Sequence, residues 1–310
     1  MRMRSTSKTT GRSASAETTG GTSQTSSMPR QALDGRAHFE EPFGALLADG
    51  VEFYAVLGNH DVRRGEELQL GYDKFNMNGR NYYSFVKGDG LIEFFALNST
   101  VLDNEIDSLE QAEIHRLKKN QKKLHKLRAQ KKLSDKQTAD LQAIENEIEE
   151  SEAFLARRKA IAAAQLPWLK EELADSRARW KVVFMHHSIY SSAYRKGGHG
   201  KSPRVLRIRA MLEPILLENK VDVVFGGHDH VYERTKPQPP DSATGHRVQY
   251  FTQGAASKLR PHDLDRASPY FAAGEDSRHS FLIVQTKNSS MQVQALDADG
   301  RIIDRHEIQK

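Results

Sequence analysis

Residues 221–230 read Val221-Asp222-Val223-Val224-Phe225-Gly226-Gly227-His228-Asp229-His230, an apolar run that stops at paired glycines and delivers two imidazoles. A run of this length bounded by Gly reads as a buried strand, with the two histidines in the loop at its carboxyl end. The same pattern recurs twice. Trp180-Lys181-Val182-Val183-Phe184-Met185 leads to His186-His187, and Glu52-Phe53-Tyr54-Ala55-Val56-Leu57 leads to Gly58-Asn59-His60-Asp61. In an open α/β sheet, side chains at the carboxyl ends of strands converge on one crevice. Three strand ends offering His, Asn and Asp therefore form one constellation.

In an extended turn, residues i and i+2 point the same way, so His228 and His230 are expected to present two imidazoles to one ion or to two adjacent ions. Asn59 supplies a neutral amide oxygen, His60 is left as an acid, and Asp61 is placed to orient its ring. His186-His187 adds imidazole from a third strand end. The chain has no Cys, which excludes thiolate nucleophiles, disulfides and Cys-ligated metal sites. Imidazole plus oxygen suits Zn, Mn or Fe rather than copper(I) or a sulfur cluster.

Elsewhere in the chain, 82–86 and 91–98 read as further strands. Helices are expected over 39–49, over 165–177 started by Pro167, and over 203–219 started by Pro203. Segments 248–254, 279–286, 290–296 and 301–308 read as strands, with Asp299-Gly300 as a hairpin turn. Helix–strand alternation succeeded by a strand run predicts a layered α/β sandwich with two sheets.

Residues 104–163 differ in kind. The charged residues of 115–132 are all basic, from Arg116 to Lys132, while Asp140, Glu145, Glu147, Glu149, Glu150 and Glu152 load the next arm. Ser134-Asp135-Lys136-Gln137 has the form of a capping box that starts a second helix. Opposite charge on the two arms predicts an antiparallel helical hairpin, inserted into the domain and solvated, or used for self-association or to gate substrate.

The net charge of +5 is concentrated at one end: residues 1–30 carry Arg2, Arg4, Lys8, Arg12 and Arg30 against Glu17. Those residues also hold seven Ser and seven Thr with no aromatic, so 1–37 is expected to be a disordered tail. A nearly neutral body argues against a nucleic-acid partner. No stretch has the roughly 18 uninterrupted apolar residues of a membrane span, and no apolar segment comes after Arg2 and Arg4 as in a signal peptide.

Four passages together resemble a calcineurin-like metallophosphoesterase of the purple-acid-phosphatase-like branch. They are Val56-Leu57-Gly58-Asn59-His60-Asp61, Gln165-Leu166-Pro167-Trp168-Leu169-Lys170-Glu171-Glu172-Leu173, Val182 to Tyr190, and Gly227-His228-Asp229-His230-Val231-Tyr232-Glu233-Arg234. The resemblance implies a four-layer αββα sandwich of two mixed β-sheets over 38–310, interrupted by the 104–163 insertion. It also implies two metal ions (Fe, Mn or Zn) that activate a water to hydrolyse a small phosphate ester, phosphomonoesters first among them. Asn59, His186 and His228 would hold the second ion and His230 the first. His60, with Asp61, would be catalytic, and His199 would contact substrate. The family's Asp-x-His and Gly-Asp-x-x-Asp/Tyr elements have no counterpart upstream of Gly58. A truncated or frame-shifted version of a longer enzyme is therefore expected, with its localisation left open and an inactive scaffold or binding protein as the alternative.

Overall fold

The computed structural model describes residues 39–102, 108–194 and 202–310. The tail expected over 1–37 and the substrate contact expected at His199 lie outside these residues. The chain divides into two compact units, one running up to Thr100 and resuming over Trp168–Lys310, the other Val101–Pro167.

In the first unit, three short helices come early: α1 (Gly44–Ala48), α2 (Asp61–Arg64) and α3 (Glu66–Leu70), succeeded by a 3-10 turn at Asp73–Phe75. The helix expected over 39–49 shrinks to α1. Pro42 has no N–H to extend it, and Phe39 is committed to an aromatic cluster, with its ring 4.8 Å from both Phe53 and Phe75. The strand expected at 52–58 does not form. Phe53, Ala55 and Leu57 are buried in alternation as in a strand, but the backbone is satisfied without a ladder. Phe53 O accepts from Asn76 Nδ2 at 2.8 Å, Ala55 O from Tyr83 Oη at 2.7 Å, and Ala55 N donates to Phe75 O at 3.2 Å.

The strands of this unit form two sheets. β1 (Tyr83–Lys87), β2 (Ile92–Leu97), β3 (Trp180–His187), β4 (Val223–Gly227), β5 (Tyr232–Thr235), β6 (Gln249–Gln253) and β7 (Phe271–Glu275) make a mixed sheet in the order β1-β2-β3-β4-β6-β5-β7. Its centre, β2-β3-β4-β6, is parallel. β8 (Ser280–Thr286), β9 (Ser290–Asp297) and β10 (Ile302–Gln309) form an antiparallel meander. Gly300 takes the expected turn between β9 and β10 at φ +79. β5 and β7 are strands that the sequence pattern does not announce.

One core cluster joins the sheets: Ile92, Trp180, Val182, Val223, Tyr232 and Phe251 from the first with Met291, Val293 and Ala295 from the second. The residues alternating with these, Phe95, Val183 and Val224, are equally buried, so the large sheet is covered on both faces. The helix over Pro203–Glu218, α6 in chain order, buries Val205, Ile208, Leu212 and Leu216, and Ser202 Oγ caps it by accepting from Val205 N at 3.3 Å.

The second unit is built from α4 (Ser108–Arg128) and most of α5 (Asp135–Asp175). The capping box forms reciprocally, with Gln137 N donating to Ser134 Oγ and Ser134 N donating to Gln137 Oε1. Arg128–Glu145, Asn120–Glu147, Glu113–Ser151 and Glu110–Arg158 pair in antiparallel register. These residues interleave with Leu117, Leu124, Leu127, Leu141, Ile144, Ile148 and Leu155 at alternating three- and four-residue spacing, the seam of an antiparallel coiled coil. The helix expected to begin at 165 is instead the end of α5, which runs through Pro167 without a break. The preceding arm supplies its turns, so Pro167 removes one backbone donor rather than starting a helix.

Arg158 is 1% exposed and Glu110 is 19%. Glu110→Ala leaves that guanidinium without this carboxylate and is expected to cost about 3 kcal/mol. Replacing both, Glu110→Leu with Arg158→Met, is expected to cost under about 1 kcal/mol. Urea unfolding monitored by circular dichroism reads both, and equal costs would refute the pairing as the register-setting contact.

Candidate metal centre

β3 and β4 run parallel, with His187 opposite Gly227, so their carboxyl ends deliver His186, His187 and His228 to one place. His186 Nε2 lies 2.8 Å from Asn59 Oδ1 and 2.9 Å from His228 Nδ1. Each of His186, His187 and His228 offers a nitrogen within 4.8 Å of the others. The ring centroids are 4.8 Å (His186–His187), 5.0 Å (His186–His228) and 4.6 Å (His187–His228) apart. Ligands at about 2.1 Å from one ion lie about 3.4 Å apart in a tetrahedral site, so this donor set needs only small adjustments to hold a cation.

His187, offered by the sequence as one of the His186-His187 pair but not among the ligands the resemblance implies, joins the cluster. Strand alternation sends consecutive residues to opposite faces, but the β3–β4 register shifts between Phe184 and His187. Ser99 Oγ accepts from His187 N at 3.0 Å and stands 2.9 Å from His187 Nδ1, fixing the ring from behind.

The loop after β4 is tighter than the extended turn expected for it. Asp229 N donates to Gly227 O at 2.7 Å, and Val231 N to Asp229 O at 2.8 Å, two successive three-residue turns. His228 sits at the centre of the first at φ +64, a left-handed value that a non-glycine residue rarely adopts. His228 and His230 are thus separated by a chain reversal, and His230 stands outside the three-imidazole group. Beneath the loop, a Cβ on Gly254 would lie 2.1 Å from Asp229 O, so only glycine fits there. Gly58 approaches in the same way: a Cβ there would come within 2.9 Å of His186 Nδ1.

His60 is exposed at the start of α2. Asp61 Oδ2 accepts from Gly58 N at 2.7 Å, so the carboxylate expected to orient His60 also pins the loop that carries Asn59.

The segment after His187 is held from several sides. Arg209 Nε donates to Ile189 O at 2.7 Å, Tyr270 Oη to Ser191 O at 2.6 Å, and Tyr194 N to Asp263 O at 2.6 Å. Ser192 N and Ser192 Oγ both donate to Glu233, which is fully buried on β5. Burial pushes the Glu233 carboxyl from the ordinary 4.5 up to about 7; the two Ser192 bonds oppose this, and the Asp229 and Asp265 carboxylates add to it.

Gly254→Ala should displace the His228–Asp229 backbone and weaken Zn(II) or Mn(II) binding by roughly 10–100-fold, while Gly44→Ala, where a Cβ meets nothing within 4 Å, should leave it unchanged. Calorimetric titration of both variants decides it, and unaltered affinity in Gly254→Ala would sink the steric account. Glu233 gives a pH signature. A carboxyl that titrates higher in the folded chain binds its proton more tightly there, so its contribution is present below about 4.5 and is lost as pH rises to about 7. Relative to Glu233→Gln, wild-type stability should fall across that window by at most about 3 kcal/mol; parallel stability–pH profiles would contradict this.

The calcineurin-like phosphoesterase family model matches residues 33–232. Purple acid phosphatase 17 of Arabidopsis thaliana is 28% identical over 233 residues, covering 74% of this chain and 55% of that protein. Purple acid phosphatase 7 of the same plant is 26% identical over 266 residues, covering 84% and 65%. The chain thus spans between about half and two thirds of these relatives' length. Purple acid phosphatase PPD1 from yellow lupin (Lupinus luteus) seeds shares the fold at a TM-score of 0.53 and 15% identity, over 84% of this chain and 41% of that one. GAP50, the anchor in the inner membrane complex of Plasmodium, does so at 0.55 and 17%, over 84% and 66%. With the family match taking in most of the chain and all three of the motifs that carry Asn59, His186 and His228, this protein belongs to the calcineurin-like phosphoesterase family.

Proposed function

We propose that the chain is a metal-dependent phosphoric ester hydrolase acting on small phosphomonoesters. The observation that carries this reading is the convergence of Asn59 Oδ1 with His186, His187 and His228 at the carboxyl ends of β3 and β4. Bound there, a divalent or trivalent Fe, Mn or Zn ion would supply Lewis-acid polarisation of a phosphoryl oxygen and acidify a water. Asn59, His186 and His228 are the ligands the family resemblance implies, and the geometry supports adding His187 to them. His60, exposed beside Asn59, is the group that would donate a proton to the leaving oxygen, and Asp61 keeps the Gly58–Asn59 backbone in position for it.

The family's first ion is less well provided for. His230 would be its ligand, and the carboxylates that would complete it have no counterpart upstream of Gly58. The donors brought together among the described residues therefore suffice for one ion, and this shortage favours a second reading, a binding protein that keeps the fold. Domain limits of 38–310 with an inserted 104–163 fit either reading.

Elemental analysis after loading with Mn, Fe or Zn near pH 7 should give one tightly held ion per chain. Hydrolysis of p-nitrophenyl phosphate should then fall at least about 100-fold in His228→Ala. Equal rates in the two proteins would dispose of the enzyme reading and leave the binding protein, while two ions per chain would restore the dinuclear arrangement.

A further inference from the structure

At the opposite edge of the large sheet, where β3 and β4 begin, lies an open groove of about 580 Å³ lined by Arg177, Arg179, Lys181, Lys220 and Lys310 together with Glu218 and Asn219. β3 has eight residues, so at about 3.3 Å per residue this groove lies roughly 25 Å from the imidazole cluster.

Its floor is built. Lys181 Nζ donates to Leu173 O at 2.6 Å and to Asn219 O at 3.3 Å, tying together the carbonyl ends of α5 and α6. Those ends carry partial negative charge, and the ammonium offsets it. Asp222 is likewise committed: Oδ2 accepts from Lys181 N at 2.9 Å and Oδ1 from Lys310 Nζ at 2.5 Å, with Lys310 lying 5.1 Å from the Trp180 ring. Glu218 pairs outward with Lys170 at 3.2 Å. Arg179 Nε is fixed on Asn288 O at 2.9 Å. Among the described residues, the side chains of Arg177 and Lys220 have no partner. Lys220 comes after α6 at φ +54, a left-handed value that directs the chain back into β4.

Five cations thus share one groove, with Glu218 in its lining and Glu93 and Asp222 acting on Lys181. Burial pushes the Lys181 ammonium below its ordinary value; Glu93 and Asp222 oppose this, while Lys310 and Lys220 reinforce it, so the ammoniums repel one another. A bound anion would relieve that repulsion.

We propose that this groove is a binding site for a compact multivalent oxyanion of the condensed-phosphate class, held by Arg177, Lys220, Arg179 and Lys310 over the fixed Lys181. The cations are spread over a groove larger than one phosphate group, which favours an anion with two linked phosphoryl groups. Planar guanidinium forks and ammonium groups together suit such oxygens.

The test is calorimetric titration of pyrophosphate and of orthophosphate into the full chain, the Arg177→Glu/Lys220→Glu variant and the His228→Ala variant. Pyrophosphate is expected to bind wild type and His228→Ala equally, at least about tenfold tighter than orthophosphate, and at least about tenfold weaker in the charge-reversed variant. Both reversed positions are exposed or at the rim, so unfolding midpoints should be unchanged, and circular dichroism verifies folding. Undiminished binding in the reversed variant would overturn the assignment, as would loss of binding in His228→Ala, which would place the anion at the imidazole cluster. Absence of measurable pyrophosphate binding to wild type would overturn it as well.

Discussion

Parallel pairing of β3 and β4 is the constraint on which the candidate site depends. A parallel ladder brings carboxyl ends to the same edge, and here the register sets His187 against Gly227, so two strand exits and their imidazoles occupy one small volume. The ladder is held by Val182–Val223 and Val183–Val224 neighbours that are essentially inaccessible to water. Burying a Val side chain contributes on the order of 1.5 kcal/mol or more. The polar cluster is therefore positioned by apolar contacts some way below it, and the histidines themselves need contribute little to stability.

Local strain is tolerated on that foundation. His228 occupies a left-handed conformation inside a three-residue turn, and such positions persist only where surrounding structure over-determines them. The determinants are visible. Gly254 N donates to Val231 O at 3.0 Å and leaves its Cβ space to Asp229 O, so the loop is clamped from both sides. Gly58 gives the His186 ring a similar allowance. The site is thus shaped as much by side chains that are missing as by those that bind, and enlarging these glycines would act on ligand geometry before it acted on fold.

What could be read from the sequence divides along the same physical line. β3, β4, β6 and the meander β8-β9-β10 were legible because their burial is local and continuous or alternating. β5 was not, because Tyr232-Glu233-Arg234-Thr235 looks like a polar loop until partners far along the chain are known: Ser192 for Glu233, and Asp304, 2.7 Å from both Tyr232 Oη and Arg234 Nε. Segment 52–58 misled in the opposite sense. Its apolar alternation is real and its burial matches it, but a strand requires a neighbour, and side chains of Asn76 and Tyr83 take the carbonyls instead. At the site, His186 and His228 were legible as strand-end residues, and Asn59 was legible from its motif although no strand precedes it. His187 was legible only as one of a pair, because a break in alternation cannot be seen in composition, and the extended turn expected at His228–His230 gave way to a tighter one because positive φ at histidine leaves no mark in the sequence.

Charge gives the last link between this arrangement and its chemistry. All four donors that converge, three imidazoles and one amide oxygen, are neutral in the state that binds a cation. A carboxylate ligand would cancel part of an ion's charge; under the function proposed above, neutral donors would leave that charge available to an anionic ester. Two carboxyl groups stand close by in the chain, that of Asp229, fully buried between His228 and His230, and that of Glu233, three residues beyond His230. Glu233 is already protonated over much of the acid range because burial and Asp229 disfavour its charge. The surroundings of the site therefore carry less negative charge at low pH than a count of carboxylates suggests.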